Sequence, residues 1–238
     1  MRISRPASPG IVLPSVLAVL VVTNLAENGR LPSLGLVNAV LAIALLSLIV
    51  WWAGGTLDDV GLAPDTLRRG AGWALALIGI VASVYLVGAL LPFTRELFSD
   101  TRTGNLAGGE VALKVFVIVP LGTVLLEEYA FRGVLYGLVR RDRGTVTATA
   151  VSSVLFGLWH VLPSLHLATQ KPTLTAVFGN GPLGAVVADI GAVLFTAAAG
   201  VLFCELRRRS GSLLAPIGLH WATNALGYLA AFALARTR

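Results

Sequence analysis

Apolar stretches of about twenty residues recur along almost the whole of this 238-residue chain, and no other feature restricts its fold as tightly. Twenty helical residues at 1.5 Å each match the ~30 Å hydrocarbon core of a bilayer. In lipid every backbone N–H and C=O must be bonded internally, so only helices and closed barrels can span. The stretches here are continuous rather than alternating, which argues against a barrel. Charged residues make up only 13% of the chain, against about a quarter in soluble domains. The expected fold is all-α: one polytopic transmembrane bundle of about seven helices enclosing a polar cavity.

The expected spans are Ile11–Leu25, Leu34–Trp52, Ala71–Leu91, Val111–Val139, Thr145–Leu165, Gly184–Glu205 and Leu213–Ala235. Gly and Pro punctuate the connectors, as at Asn28-Gly29 and Gly54-Gly55. The segment 56–69 is too polar to span and reads as a short interfacial helix. With the N-terminus inside, the inner connectors hold ten Lys and Arg and the outer side six. That asymmetry predicts an integral protein of the plasma membrane with a cytoplasmic N-terminus. Trp51, Trp52 and Trp73 read as interfacial belt residues, and His166 as a surface residue. The net charge of +6 is spread between apolar segments rather than set in an aromatic-laced basic patch. Membrane lipids, not nucleic acid, are the partners this implies. A single cysteine, Cys204, excludes an internal disulfide and a thiolate metal cluster.

The informative anomaly is Val111–Val139, which carries Lys114, Glu127, Glu128 and Arg132 inside an apolar run. An ionisable group at membrane depth costs at least ~2.5–3.5 kcal/mol, so it is normally paired and functional. Helical rise puts Glu127 roughly 20 Å from Arg140, His160 roughly 25 Å from Arg143 and His220 roughly 16 Å from Arg209. Three polar groups on three spans thus reach similar depths. Glu128 and Arg132 stand at i,i+4, which predicts an intrahelical ion pair, whereas Glu127 lies about 100° round the helix. Phe131 shares the face of Glu127, Phe156 that of His160, and Asn224 that of His220.

Glu127-Glu128-x-x-x-Arg132, Phe156-x-x-x-His160 and His220-x-x-x-Asn224 together resemble the motif set of the CPBP intramembrane proteases. That family includes the type II CAAX prenyl endopeptidases and the Abi proteins. The resemblance covers roughly residues 110–235 and divides the chain into N-terminal helices with an interfacial segment (1–105) and a catalytic helical core (106–238). It implies an intramembrane endopeptidase in which Glu127 is the general base and His160 holds the water. His220 and Asn224 would stabilise the oxyanion, with Glu128 and Arg132 as supporting partners and Phe131 and Phe156 against the substrate. The implied partner is a peptide or protein, prenylated or otherwise membrane-associated. Members have been described both as metalloproteases and as metal-independent glutamate proteases. One zinc ion on Glu127, His160 and His220 is the metal alternative, although no HExxH spacing occurs; the expectation is that no metal is obligatory, while the family's label is expected to be metalloprotease.

Two other classes compete. A non-catalytic membrane binding or immunity protein would keep the scaffold without the chemistry. A small transporter or proton relay would use the same buried charges, but no inverted repeat or pair of broken helices is visible.

Overall fold

The structure, a computed structural model, describes residues 8–29, 34–94, 106–165 and 181–236. His166 and the basic residues Arg2, Arg5, Arg30, Arg95, Arg102, Lys171 and Arg238 of the charge count lie outside these. Among the described residues every regular element is helical. The first three are α1 (Pro9–Asn28), α2 (Gly35–Trp52) and α3 (Pro64–Leu90). A long helical run follows, built from α4 (Gly108–Leu113), a π-helical stretch Lys114–Val124, α5 (Leu125–Glu128), a second π-helical stretch Tyr129–Leu135, and α6 (Tyr136–Trp159), which turns a corner at Gly144. A single turn α7 (Val161–Ser164), then α8 (Pro182–Ser210) and α9 (Leu214–Ala235), complete the bundle.

Five of these helical runs are long and apolar enough to cross a membrane. One of them, Gly108–Ser164, is two rods joined at Gly144, whose φ of 81° and ψ of 173° turn the chain between the fourth and fifth expected spans. A side chain there would be strained, which is why glycine occupies the corner. The expected seventh span forms α9 but falls outside the five, because His220, Thr223 and Asn224 lower its hydropathy. The segment 56–69 is not a separate interfacial helix. Its first half is a series of turns, and Pro64, with φ pre-set for a first helical position, starts α3 directly.

The distribution of side chains inverts that of a water-soluble protein. Leu75, Val84, Leu90 and Phe195 face outward, whereas Glu127, Glu128, Arg132 and Arg207 are buried. Hydrocarbon accepts the first set and penalises the second, which must turn inward and find partners. Trp51, Trp52 and Trp73 are partly exposed where α2 ends and α3 begins.

Small residues let the rods approach closely. A Cβ on Gly157 of α6 would stand 2.8 Å from the Val193 carbonyl of α8, and one on Gly200 of α8 would stand 2.9 Å from Ser153. This small-residue contact is how helices associate where apolar burial gives no net drive. At one end of the bundle, the connectors that the charge count assigns to one side are tied together. Arg207 donates to the carbonyls of Asp58 (2.8 Å) and Asp59 (3.3 Å), and Arg69 donates to that of Ser210 (2.6 Å). Arg141 donates to that of Ala53 (3.1 Å).

Candidate active site

Glu127 and Glu128 occupy the single α-helical turn between the two π-helical stretches. π-helical turns are rare and concentrate at functional sites. They free carbonyls for side chains, and the Phe131 carbonyl takes the Ser152 hydroxyl at 2.8 Å. That bond ties the second π-helical stretch to the part of α6 beyond Gly144.

The expected ion pair is present: Arg132 Nη1 stands 3.2 Å from Glu128 Oε1, with both side chains fully buried. The guanidinium also lies 3.8 Å from the Phe156 ring centroid and 4.8 Å from that of Phe203. Aromatic faces stabilise a desolvated cation by ~2 kcal/mol or more, which is how Arg132 survives with its other nitrogens unpartnered. Glu128 Oε1 accepts a second bond, from His220 Nδ1 at 2.8 Å. An acceptor-only carboxylate at Nδ1 places the ring proton there and leaves Nε2 bare in the neutral imidazole.

His160 reaches its position through a break in the chain. The sequence places it inside a continuous span, but α6 stops at Trp159 and His160 has ψ near 1°. Pro163 explains the stop, since it has no N–H for the Trp159 carbonyl and its ring crowds that group. The orphaned Trp159 carbonyl instead accepts the side-chain amide of Asn24 from α1, at 2.9 Å. The His160 N–H tightens onto Gly157, and the freed Phe156 carbonyl takes His160 Nδ1–H at 2.8 Å. A carbonyl only accepts, so His160 too presents a bare Nε2.

Both bare nitrogens face one atom. Glu127 Oε2 lies 3.8 Å from His220 Nε2 and 4.0 Å from His160 Nε2. The other oxygen, Oε1, is fixed by the indole N–H of Trp159 at 3.0 Å. Oε2 is buried and has no hydrogen-bond partner. Three acceptors thus converge with no donor among them, on three separate elements, as the depth argument anticipates.

The motif stretch in which these residues sit has known relatives. Residues 109–226 match the family described as type II CAAX prenyl endopeptidase Rce1-like. This stretch is an Rce1-like domain. No curated protein and no solved structure matches the chain. The match supports, at the level of the family, a CAAX-protease-like intramembrane endopeptidase, and the apolar helices are those of an integral membrane protein.

Within the Rce1-like domain, Phe131 and Phe156 are almost fully buried. They meet edge to face at 5.2 Å, and Phe156 lies 4.6 Å from the His160 ring, so they wall the site from behind. Asn224 is half-buried one turn beyond His220, and its amide bonds to no described residue. Glu127, His160 and His220 offer donor types that zinc accepts. The spacing is less suited, because ligands of a tetrahedral zinc stand roughly 3.3 Å apart. Among the described residues no group of three His, Cys, Asp or Glu side chains closes into a ligand set. The residues as placed do not fit the ion, and no step below runs through it.

Sequence reasoning missed two residues, Trp159 and Asn24, and one contact of a residue it had named, Glu128. Trp159 precedes His160, and a buried indole N–H usually needs a partner, which was the available signal. Glu128 anchors His220, a contact between spans that no spacing reveals. Asn24 comes from α1, outside the Rce1-like domain altogether.

Proposed function

We propose that the Rce1-like domain cleaves a peptide bond with a water molecule held among Glu127, His160 and His220. The observation that carries this reading is the orphaned Glu127 Oε2 between two bare imidazole nitrogens. A water between them donates one O–H to Glu127 and the other to a histidine, turning its lone pair outward as the nucleophile. Attack on the scissile carbonyl passes the water proton to Glu127. Glu127 then returns it to the departing nitrogen as the C–N bond breaks, leaving a carboxyl group and an amine. General-base assistance of this kind is worth ~10²–10⁴-fold.

We assign the oxyanion to the Asn224 amide, whose N–H donors are uncommitted among the described residues. Neutral His220, with its proton on Nδ1, belongs with the water, which narrows the joint oxyanion role implied by the family resemblance. Glu128 holds His220 in that tautomer, and Arg132 pairs with Glu128 and fixes its position. An open apolar groove of about 490 Å³ runs between α3, the first π-helical stretch and α9, lined by Leu75, Ile78, Phe116, Ile217 and Trp221 among others. It flanks the helix that carries His220, which favours a lipid-modified substrate.

The test is cleavage of an S-farnesylated reporter peptide by the full chain in proteoliposomes. Glu127→Gln and His160→Ala should each lower turnover by roughly 10²-fold or more while the helical spectrum is kept. Full activity in both variants would reject the proposal. Cellular function surviving Glu127→Gln would favour the non-catalytic binding protein.

A further inference from the structure

Helix α1 lies outside the Rce1-like domain yet faces its site. Asn24 caps the Trp159 carbonyl, and the Trp159 indole in turn holds Glu127. Glu27 follows Asn24 by three residues and so shares its face. Its carboxylate is close enough to that of Glu127 for the two to repel, with the Asn38 amide beside it. Glu27 Oε1 is buried and, like Glu127 Oε2, has no hydrogen-bond partner among the described residues.

Glu127 Oε2 faces the two bare imidazole nitrogens, and Glu27, on a helix far away in sequence, adds a second carboxylate that repels Glu127. Arg132, the cation buried within this cluster, is already committed to Glu128 and its aromatic cage. The water of the proposed reaction satisfies Glu127 but leaves Glu27 Oε1 without a partner among the described residues. A buried carboxyl oxygen without a partner among the described residues, set beside a second carboxylate, favours a donor that carries positive charge.

We propose that Glu27 is a specificity residue of this site, accepting a lysine or arginine side chain of the substrate close to the scissile bond. The assignment deepens the protease reading and rests on it for the word substrate. It places α1 in substrate selection, a role that no motif in the chain predicts.

The experiment uses S-farnesylated reporter peptides carrying one lysine, or norleucine of similar length, at each position flanking the scissile bond. Cleavage is measured with the full chain in proteoliposomes, and binding with the Glu127→Gln variant. At one position the wild type should prefer lysine by about tenfold in kcat/KM, the scale of a charge-assisted hydrogen bond. Glu27→Gln should bring that ratio near one, chiefly through KM, and Glu27→Asp should keep part of it. Binding to Glu127→Gln should show the same preference, lost when Glu27→Gln is added. Equal treatment of lysine and norleucine by the unmodified Glu27 background, or a preference that survives Glu27→Gln, would overturn the assignment. A preference in binding with no cleavage of any peptide by wild type would reject the protease and keep Glu27 as a binding residue.

Discussion

Replacing Glu128 with leucine separates the stability of the buried network from its role in turnover. The substitution leaves the Arg132 guanidinium fully buried with no anion. Removing one partner of a buried pair costs about 3–5 kcal/mol. The stacking of Arg132 on Phe156 at 3.8 Å offsets part of this. His220 Nδ1–H also loses its 2.8 Å acceptor, a further penalty of roughly 1–3 kcal/mol. Removing the cation as well, in Glu128→Leu/Arg132→Met, should recover most of the ion-pair term, because apolar replacement of a whole buried pair is often neutral. The double variant should therefore be more stable than Glu128→Leu by about 2 kcal/mol, a coupling of the size seen between contacting residues. Unfolding by SDS in mixed micelles, followed by circular dichroism, measures the three free energies. Turnover of the farnesylated reporter should stay low in both variants, since neither restores the anchor on His220. The reasoning fails if Glu128→Leu unfolds within ~1 kcal/mol of wild type, as a solvent-exposed pair would, or if the double variant regains full turnover.

Trp159→Phe keeps the ring but removes the N–H that fixes Glu127 Oε1, and should lower kcat roughly 10-fold with little change in stability, read from steady-state cleavage. Gly200→Leu forces α8 against Ser153 of α6 and should destabilise the bundle by about 1–3 kcal/mol or more in the same SDS titration. Leu75→Trp narrows the apolar groove and should raise KM for the farnesylated reporter more than for the same peptide without the lipid. Stripping divalent ions with a chelator should leave cleavage intact. Activity lost on stripping and restored by zinc would return the metal to Glu127, His160 and His220.

The parts of this molecule written in local pattern were legible before any coordinates. Spans of the right length, the break between Val139 and Thr145 and the Glu128–Arg132 pair follow from hydropathy and i,i+4 geometry. The meeting of Glu127, His160 and His220 was visible because helical rise converts sequence distance into depth, and depth is shared across a bundle. What lay hidden depends on rotation and on departures from regular helix. An apolar run gives no sign that Lys114–Val124 widens into π turns. His160 looked like a mid-span residue because Pro163 was read as part of the span, and its missing N–H is what ends α6. Helix α1 reads as plain apolar sequence with a polar end, so Asn24 and Glu27 carried no signal until packing turned them toward Trp159 and Glu127. The Glu128–His220 bond joins residues ninety-two positions apart. No spacing argument reaches it.

The central claim is that Glu127 and His160 act on one and the same water. Single-turnover cleavage by Glu127→Gln, His160→Ala and the combined variant, with folding checked for each, tests it most directly. Groups that work as a unit lose their effect together. The double variant should therefore cleave no more slowly than the worse of the two singles. Losses that multiply in the double variant would show two independent contributions and contradict the shared-water account.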